Sequence, residues 1–375
     1  MQKKIIALAL AGLASSAAFA QTNVTIYGRM DYGYMVRGDQ SGASSVRDNK
    51  AEFASGIGAG SRIGFKGTED LGNGLKAIFQ AEFGTAMDSS SGLNSTRNAY
   101  VGLAGNFGTV VGGRLDGVRY GIFNKYDAFA GGNIGNFTQM TAQVDRANNA
   151  IAYISPTFLG GLSATVAYAT HIGDSNPLGL TAQEGGAASA VRFGNDGDAE
   201  LNTVMLNYAN GPLSVTLDYE TVDFKGGSVL AGSTALTTDQ VTVYTGGISY
   251  DFGVVKVAGL YDVLKLKDSD GGYGLDTDSW FISASAPLGK FLVKATYGET
   301  ENDRYTTPAA RSNKSAKIGL GVDYNLSKRT KIYAGYAVIN NNQGSSAMLS
   351  PAANCSTASC SYGTQGYDLG VAHTF

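Results

Sequence analysis

Apolar side chains recur at every second position along almost the whole chain. In "VTIYGRMDYGY", Val24, Ile26, Met30, Tyr32 and Tyr34 share one face, while Thr25, Tyr27, Arg29 and Asp31 share the other. "LKAIFQAEF" sets Leu75, Ala77, Phe79, Ala81 and Phe83 against Lys76, Ile78, Gln80 and Glu82. "LSVTLDYET" opposes Leu213, Val215, Leu217 and Tyr219 to Ser214, Thr216, Asp218 and Glu220, and "AKIGLGVDY" repeats the pattern with Ile318, Leu320, Val322 and Tyr324. Period two is the mark of a strand with one apolar and one polar face. There are about sixteen such segments, most near the roughly 9–11 residues that a tilted strand needs to cross a bilayer.

The connections alternate in length. Short ones carry turn chemistry, as in "EDLGNG" (Glu69–Gly74), "GNFG" (Gly105–Gly108), "NGP" (Asn210–Pro212) and "PLG" (Pro287–Gly289). Gly, Asn and Pro supply the backbone angles such turns demand. Long ones are polar, among them Arg37–Ala59, Leu115–Asp145, His171–Glu200 and Asn340–Ser361. This alternation predicts an all-β fold, a transmembrane antiparallel up-and-down β-barrel of about 16 strands, with short periplasmic turns and long extracellular loops. Hydrocarbon cannot satisfy an open sheet edge, so the strands must close with their polar faces inward. The final segment, "GYDLGVAHTF", puts Tyr367, Leu369, Val371 and Phe375 on one stripe, which fits a closing strand with its terminal ring at the membrane rim.

The first twenty residues depart from the pattern. Lys3 and Lys4 precede the apolar run Ile5–Leu13, and small residues lead to Ala18-Phe19-Ala20. These are the three regions of a secretory signal peptide, so residues 1–20 are expected to be cleaved and residues 21–375 to form the exported barrel. Removing Lys3 and Lys4 takes the formal net charge from −3 to −5, which gives nucleic acid no reason to bind. Charged residues are only 16% of the chain, and 52 glycines and 21 tyrosines suit a barrel. Beyond the leader no stretch carries the roughly 18 apolar residues of a spanning helix. Cys355 and Cys360 are expected to pair in an oxidising compartment.

Several segments in order carry a family likeness: "SRIGFKGTEDLGNGLKAIFQAEFG", "RNAYVGLAGNFGTVVGGR", "NNAIAYISPTFLGGLSATVAYA" and the ending "GVAHTF". With "VTIYGRMDYGY" after the leader, they resemble the general diffusion porins of Gram-negative outer membranes, in their betaproteobacterial form. The resemblance spans residues 21–375. It implies a sixteen-stranded homotrimer in the cell outer membrane, reached through the periplasm. It also implies a third loop folded into the lumen, passive diffusion of small hydrophilic solutes and ions, and no cofactor, metal or bond chemistry. The closing strand would be read by the barrel-assembly machinery, and the outer wall would meet outer-membrane lipid and lipopolysaccharide.

A pore's site is a constriction with a field across it. The resemblance sets arginines on the wall, opposite acids on or near the infolded loop. Arg29, Arg62 and Arg146 lie on inward faces by parity. Arg97 matches the family position but shares a face with Ala99, Val101 and Leu103, and Arg114 closes its strand. On the acidic side stand Glu82, inward by parity, and Asp116 and Asp127 of the loop segment. Arginines outnumber these acids, so a mild anion preference is expected despite the acidic total, because distant charge is screened over roughly 8–10 Å in salt.

Weaker signals point elsewhere. Asp268, Asp270, Asp276 and Asp278, and Asp196, Asp198 and Glu200, could offer oxygens to calcium, but the spacing lacks the twelfth-position carboxylate of a calcium loop. His171 and His373 belong to no catalytic motif. A substrate-selective channel would need an aromatic or lysine track along the lumen, and a plugged adhesin barrel would not conduct.

Overall fold

The computed structural model describes residues 23–38, 49–90, 92–141, 143–170, 172, 191–193, 199–224, 228–231, 234–237, 240–267, 274–304, 313–341, 349 and 363–375. The leader, Cys355 and Cys360, His171, and Asp196, Asp198, Asp268 and Asp270 lie outside the described residues.

The period-two segments form strands where alternation predicts them. They run β1 (Asn23–Gly38), β2 (Asn49–Ser55), β3 (Arg62–Gly72), β4 (Leu75–Thr85), β5 (Leu93–Gly105), β6 (Gly108–Asp116), β7 (Arg146–Ile154) and β8 (Leu162–Ala169). After β9 (Val191–Phe193) come β10 (Ala199–Asn210), β11 (Leu213–Phe224), β12 (Ser228–Ala231), β13 (Thr234–Thr237) and β14 (Gln240–Asp251). The last are β15 (Lys256–Lys267), β16 (Gly274–Leu288), β17 (Phe291–Arg304), β18 (Asn313–Asn325), β19 (Thr330–Asn341) and β20 (Gln365–Thr374). The helix α1 (Val118–Tyr126) follows β6.

Sixteen of these strands pair antiparallel, neighbour to neighbour, into a closed cylinder, while β9, β12 and β13 form a small separate sheet. Closure runs through β1. Its first half pairs with β3 from Asn23↔Thr68 to Arg29↔Arg62, and its second half pairs with β20 from Arg29↔Thr374 to Gly38↔Gln365. The extra strand β2 folds back on the upper half of β1 from Tyr32↔Ser55 to Gly38↔Asn49. Phe375 completes the seam: its amide donates to Gly28 O and its carbonyl accepts from Gly28 N, both at 3.1 Å.

The apolar stripe faces out, inverting the rule for water-soluble sheets. Ile26, Val101, Leu217, Ile282 and Leu369 are exposed, whereas Asp31, Glu82, Thr216, Asp262, Thr296, Lys317 and Asp368 are buried. An arginine or lysine on the lipid face costs about 2–4 kcal/mol at mid-bilayer, which keeps charge on the inner face.

The third long connection, residues 117–145, folds inside the cylinder. Its Ile122, Phe123, Tyr126, Ile134, Phe137 and Met140 form one apolar cluster with inward Leu260, Phe281 and Tyr333. The Phe123 and Phe137 rings meet Phe281 at 5.9 and 5.2 Å between centroids. The loop enters and leaves through a narrow neck, where Gly117 N donates to Asp145 O at 2.9 Å. A Cβ on Gly117 would lie 1.8 Å from Val144 O, so no other residue fits there.

Candidate functional site

On the uncovered wall, neighbouring strands β1, β3, β4, β5, β6 and β7 bring the sequence-predicted arginines together. Arg29 and Arg62 stand directly opposite each other in the β1–β3 register. Like charges so placed repel, and each leans toward its own acid. Arg29 Nη2 donates to Asp31 Oδ2 at 3.1 Å, and Arg62 Nη1 lies 3.6 Å from Glu82 Oε1. Arg62 Nε also donates to Gly60 O at 3.0 Å.

Arg97 reaches the lumen despite its parity, because β5 carries a bulge. Ala81 pairs with Ala99, but Phe83 pairs with Thr96, so both Arg97 and Asn98 oppose Glu82. The extra residue reverses the in–out count below it. Arg97 is 6% exposed where Val101 is 65% exposed, and its Nε donates to Glu82 Oε1 at 2.6 Å. A second register shift, between Gly113 and Leu115, breaks parity at Arg114. Arg114 Nε donates to Thr96 O at 2.8 Å and its Nη1 reaches Asn148, tying strand ends together. Arg146 faces Asp116 in register, with Nε 3.1 Å from Asp116 Oδ1.

The three acids expected across the gap occupy other places. Glu82 stands on the arginine wall, between Arg62 and Arg97, and also accepts from Tyr27 Oη at 2.9 Å. Asp116 belongs to the same wall beside Arg146, and accepts from Asn98 Nδ2 at 3.1 Å. Asp127 is turned into the loop itself, 4% exposed. It accepts from Phe129 N at 3.0 Å, Phe137 N at 2.7 Å and Thr296 Oγ1 at 3.2 Å. Burial raises the Asp127 carboxyl above the usual carboxylate range, against the pull of those amides and of Lys317. It staples the loop's turns rather than facing the arginines.

The loop is fastened to the opposite wall by residues the sequence pattern did not single out as site residues. Arg119 forks onto Asp262, with Nε 2.8 Å from Oδ1 and Nη2 on Oδ2, and Thr245 Oγ1 donates to the same Oδ1 at 2.6 Å. Such two-point charge-assisted contacts fix orientation as well as position. Burial works against the Arg119 charge, but Asp262, with Glu220 and Asp218 beyond it, more than offsets this and raises its pKa. Farther along, Ser283 Oγ donates to Tyr126 O at 2.5 Å and Lys317 Nζ donates to Asn136 O at 2.5 Å. Asp368 accepts from Ile134 N at 2.6 Å. Parity alone puts Asp218, Glu220 and Lys317 on inward faces. Nothing in the local pattern pairs strand residues with a loop more than a hundred positions away.

From the loop side, α1 presents Tyr120, whose ring centroid lies 5.7 Å from the Arg146 guanidinium carbon. Exposed Lys125, near the end of the helix, lies over the Tyr126 ring and donates to Asn207 Oδ1 at 2.5 Å and Thr216 Oγ1 at 3.0 Å on the wall of β10 and β11. Among the described residues no group of His, Cys, Asp or Glu is arranged to hold a metal ion.

A family model described as Gram-negative porin matches residues 7–344. Outer membrane porin protein 32 of Delftia acidovorans is 34% identical over 358 residues, covering 92% of this chain and 91% of that protein. The solved structure of an anion-selective porin from Comamonas acidovorans superposes with a TM-score of 0.73 at 30% identity, covering 95% of this chain and all of that one (100%). The trimer form of OmpT, an outer membrane protein of Vibrio cholerae, shares the fold alone, with a TM-score of 0.65 at 16% identity over 94% of this chain and 99% of that one.

Proposed function

This chain belongs to the Gram-negative porins, and we propose that the eyelet of its channel favours anions through the arginine wall of β1 to β7. It is an outer-membrane porin, a water-filled channel through which small hydrophilic solutes diffuse passively. One observation carries the proposal: among its described residues the infolded loop has two carboxylates, the buried Asp127 and the half-buried Asp145 at its neck, and neither is exposed to the arginines as a free charge. Among the described residues the acids near Arg29, Arg62, Arg97, Arg114 and Arg146 are Asp31, Glu82, Asp116 and Asp145, so the arginines outnumber them. A positive local field in a narrow, partly dehydrated gap concentrates anions and slows cations. The anion-selective relative from Comamonas supports the same reading.

The barrel also fits assembly as a homotrimer, as OmpT of Vibrio cholerae does in its trimer form. We place the short turns in the periplasm and the long connections outside, facing lipopolysaccharide. The outward stripe Tyr367, Leu369, Val371 and Phe375 is the segment offered to the barrel-assembly machinery, and the leader ends before Gln21.

Reconstituted liposomes test the transport proposal. Swelling should be faster in a small organic anion than in a cation of equal size, and faster swelling in the cation would overturn it.

A further inference from the structure

Four of the five wall arginines are anchored by hydrogen bonds. Arg29 donates to Asp31, Arg62 to the Gly60 carbonyl, Arg97 to Glu82 and Arg114 to the Thr96 carbonyl. Arg146 is not. Its Nε approaches Asp116 without hydrogen-bond alignment, and its buried Nη2 has no acceptor among the described residues. Coulomb attraction lacks the directionality with which aligned hydrogen bonds fix a guanidinium's orientation. What closes over Arg146 is the ring of Tyr120, at 5.7 Å from the guanidinium carbon, within the range at which an aromatic face attracts a cation.

Tyr120 is itself held from behind. The preceding residue, Arg119, is 2% exposed and forked onto Asp262 of the far wall. Successive residues of a helix point in different directions, since a turn takes 3.6 residues. One side chain of the pair therefore grips the far wall while the other meets the arginine row. We infer that Tyr120 is a positioning residue for anion selectivity: its ring holds the Arg146 guanidinium in the eyelet, so that the infolded loop, and not the wall alone, sets where that charge stands. The inference rests on the anion-favouring reading of the eyelet. It adds that the aromatic ring, not the phenol hydroxyl, is what the site requires, because it is the ring that lies over the guanidinium.

The test compares the parent with Arg146→Gln, Tyr120→Phe, Tyr120→Leu and the double variant Tyr120→Leu/Arg146→Gln. Each is inserted in planar bilayers under a potassium chloride gradient. Heat-modifiable gel mobility verifies that each barrel is folded, and Tyr120→Met replaces Tyr120→Leu should the latter not insert. Tyr120→Phe is expected to keep the parent's chloride-to-potassium permeability ratio. Tyr120→Leu is expected to lower it by about twofold, and the double variant to go no lower than Arg146→Gln alone, the non-additivity of two residues acting as one unit. A silent Tyr120→Leu beside an effective Arg146→Gln, or effects that simply add, overturns the inference and leaves the anion reading standing. An Arg146→Gln channel with the parent's ratio removes Arg146 from the selectivity site and overturns the inference with it, whereas a parent that prefers potassium overturns the anion reading itself.

Discussion

Arg119 sits among three carboxylates, Asp262 in direct contact and Glu220 and Asp218 beyond it. Asp218 is 6% exposed and neither of its oxygens has a hydrogen-bond partner among the described residues. Removing one partner of a buried ion pair costs about 3–5 kcal/mol, because the other charge is left unpaired. Arg119→Ala should therefore lower the temperature at which the folded band converts to the unfolded one on gels and raise current noise as the loop loosens. Asp218→Asn removes surplus negative charge while leaving the fork intact, and should hold or raise that temperature. A drop with Asp218→Asn would show that its carboxylate is needed as a charge. On the uncovered wall, Arg62→Gln is expected to shift the zero-current potential toward cations, and an unchanged potential would remove Arg62 from the selectivity site.

Strand by strand, the in–out alternation was legible wherever the ladder is regular. Arg29 and Arg62 face inward as parity dictates, and Ile26 and Leu217 face outward. Parity failed at Arg97 because a bulge adds a residue between Ala99 and Thr96, and a single-strand pattern carries no sign of where two strands slip. The family likeness set Asp127 of the loop segment among the acids facing the arginines, but it is taken up by the amides of Phe129 and Phe137. Those bonds form only after the loop folds on itself, so they leave no local trace. The loop's seat makes its own prediction. A Cβ on Gly319 of β18 would come 2.2 Å from Gly135 O, so the loop backbone rests on the wall only because that position is bare. Gly319→Val should lift this segment and break the Lys317–Asn136 contact, changing single-channel conductance while the barrel still assembles. An unchanged conductance would mean the close approach does not shape the pore.

Taken whole, the molecule separates two demands that a single sheet must meet. The outer face satisfies lipid, and the inner face uses its polar residues to seat a loop against one half of the wall and to gather the arginines with a few acids on the other. Closure depends on the seam at which Phe375 exchanges hydrogen bonds with Gly28. Deleting Phe375 should reduce the yield of folded barrel without changing the selectivity of the channels that do form, and an undiminished yield would make those bonds dispensable. The chain's formal net charge is −3, yet the wall of β1 to β7 gathers arginines on its inner face. Total charge and local charge thus predict opposite signs for one observable, the zero-current potential of the parent channel under a potassium chloride gradient. Control by the arginine wall predicts the sign of a channel more permeable to chloride. A potential of the opposite sign, with potassium the more permeant ion, would contradict it.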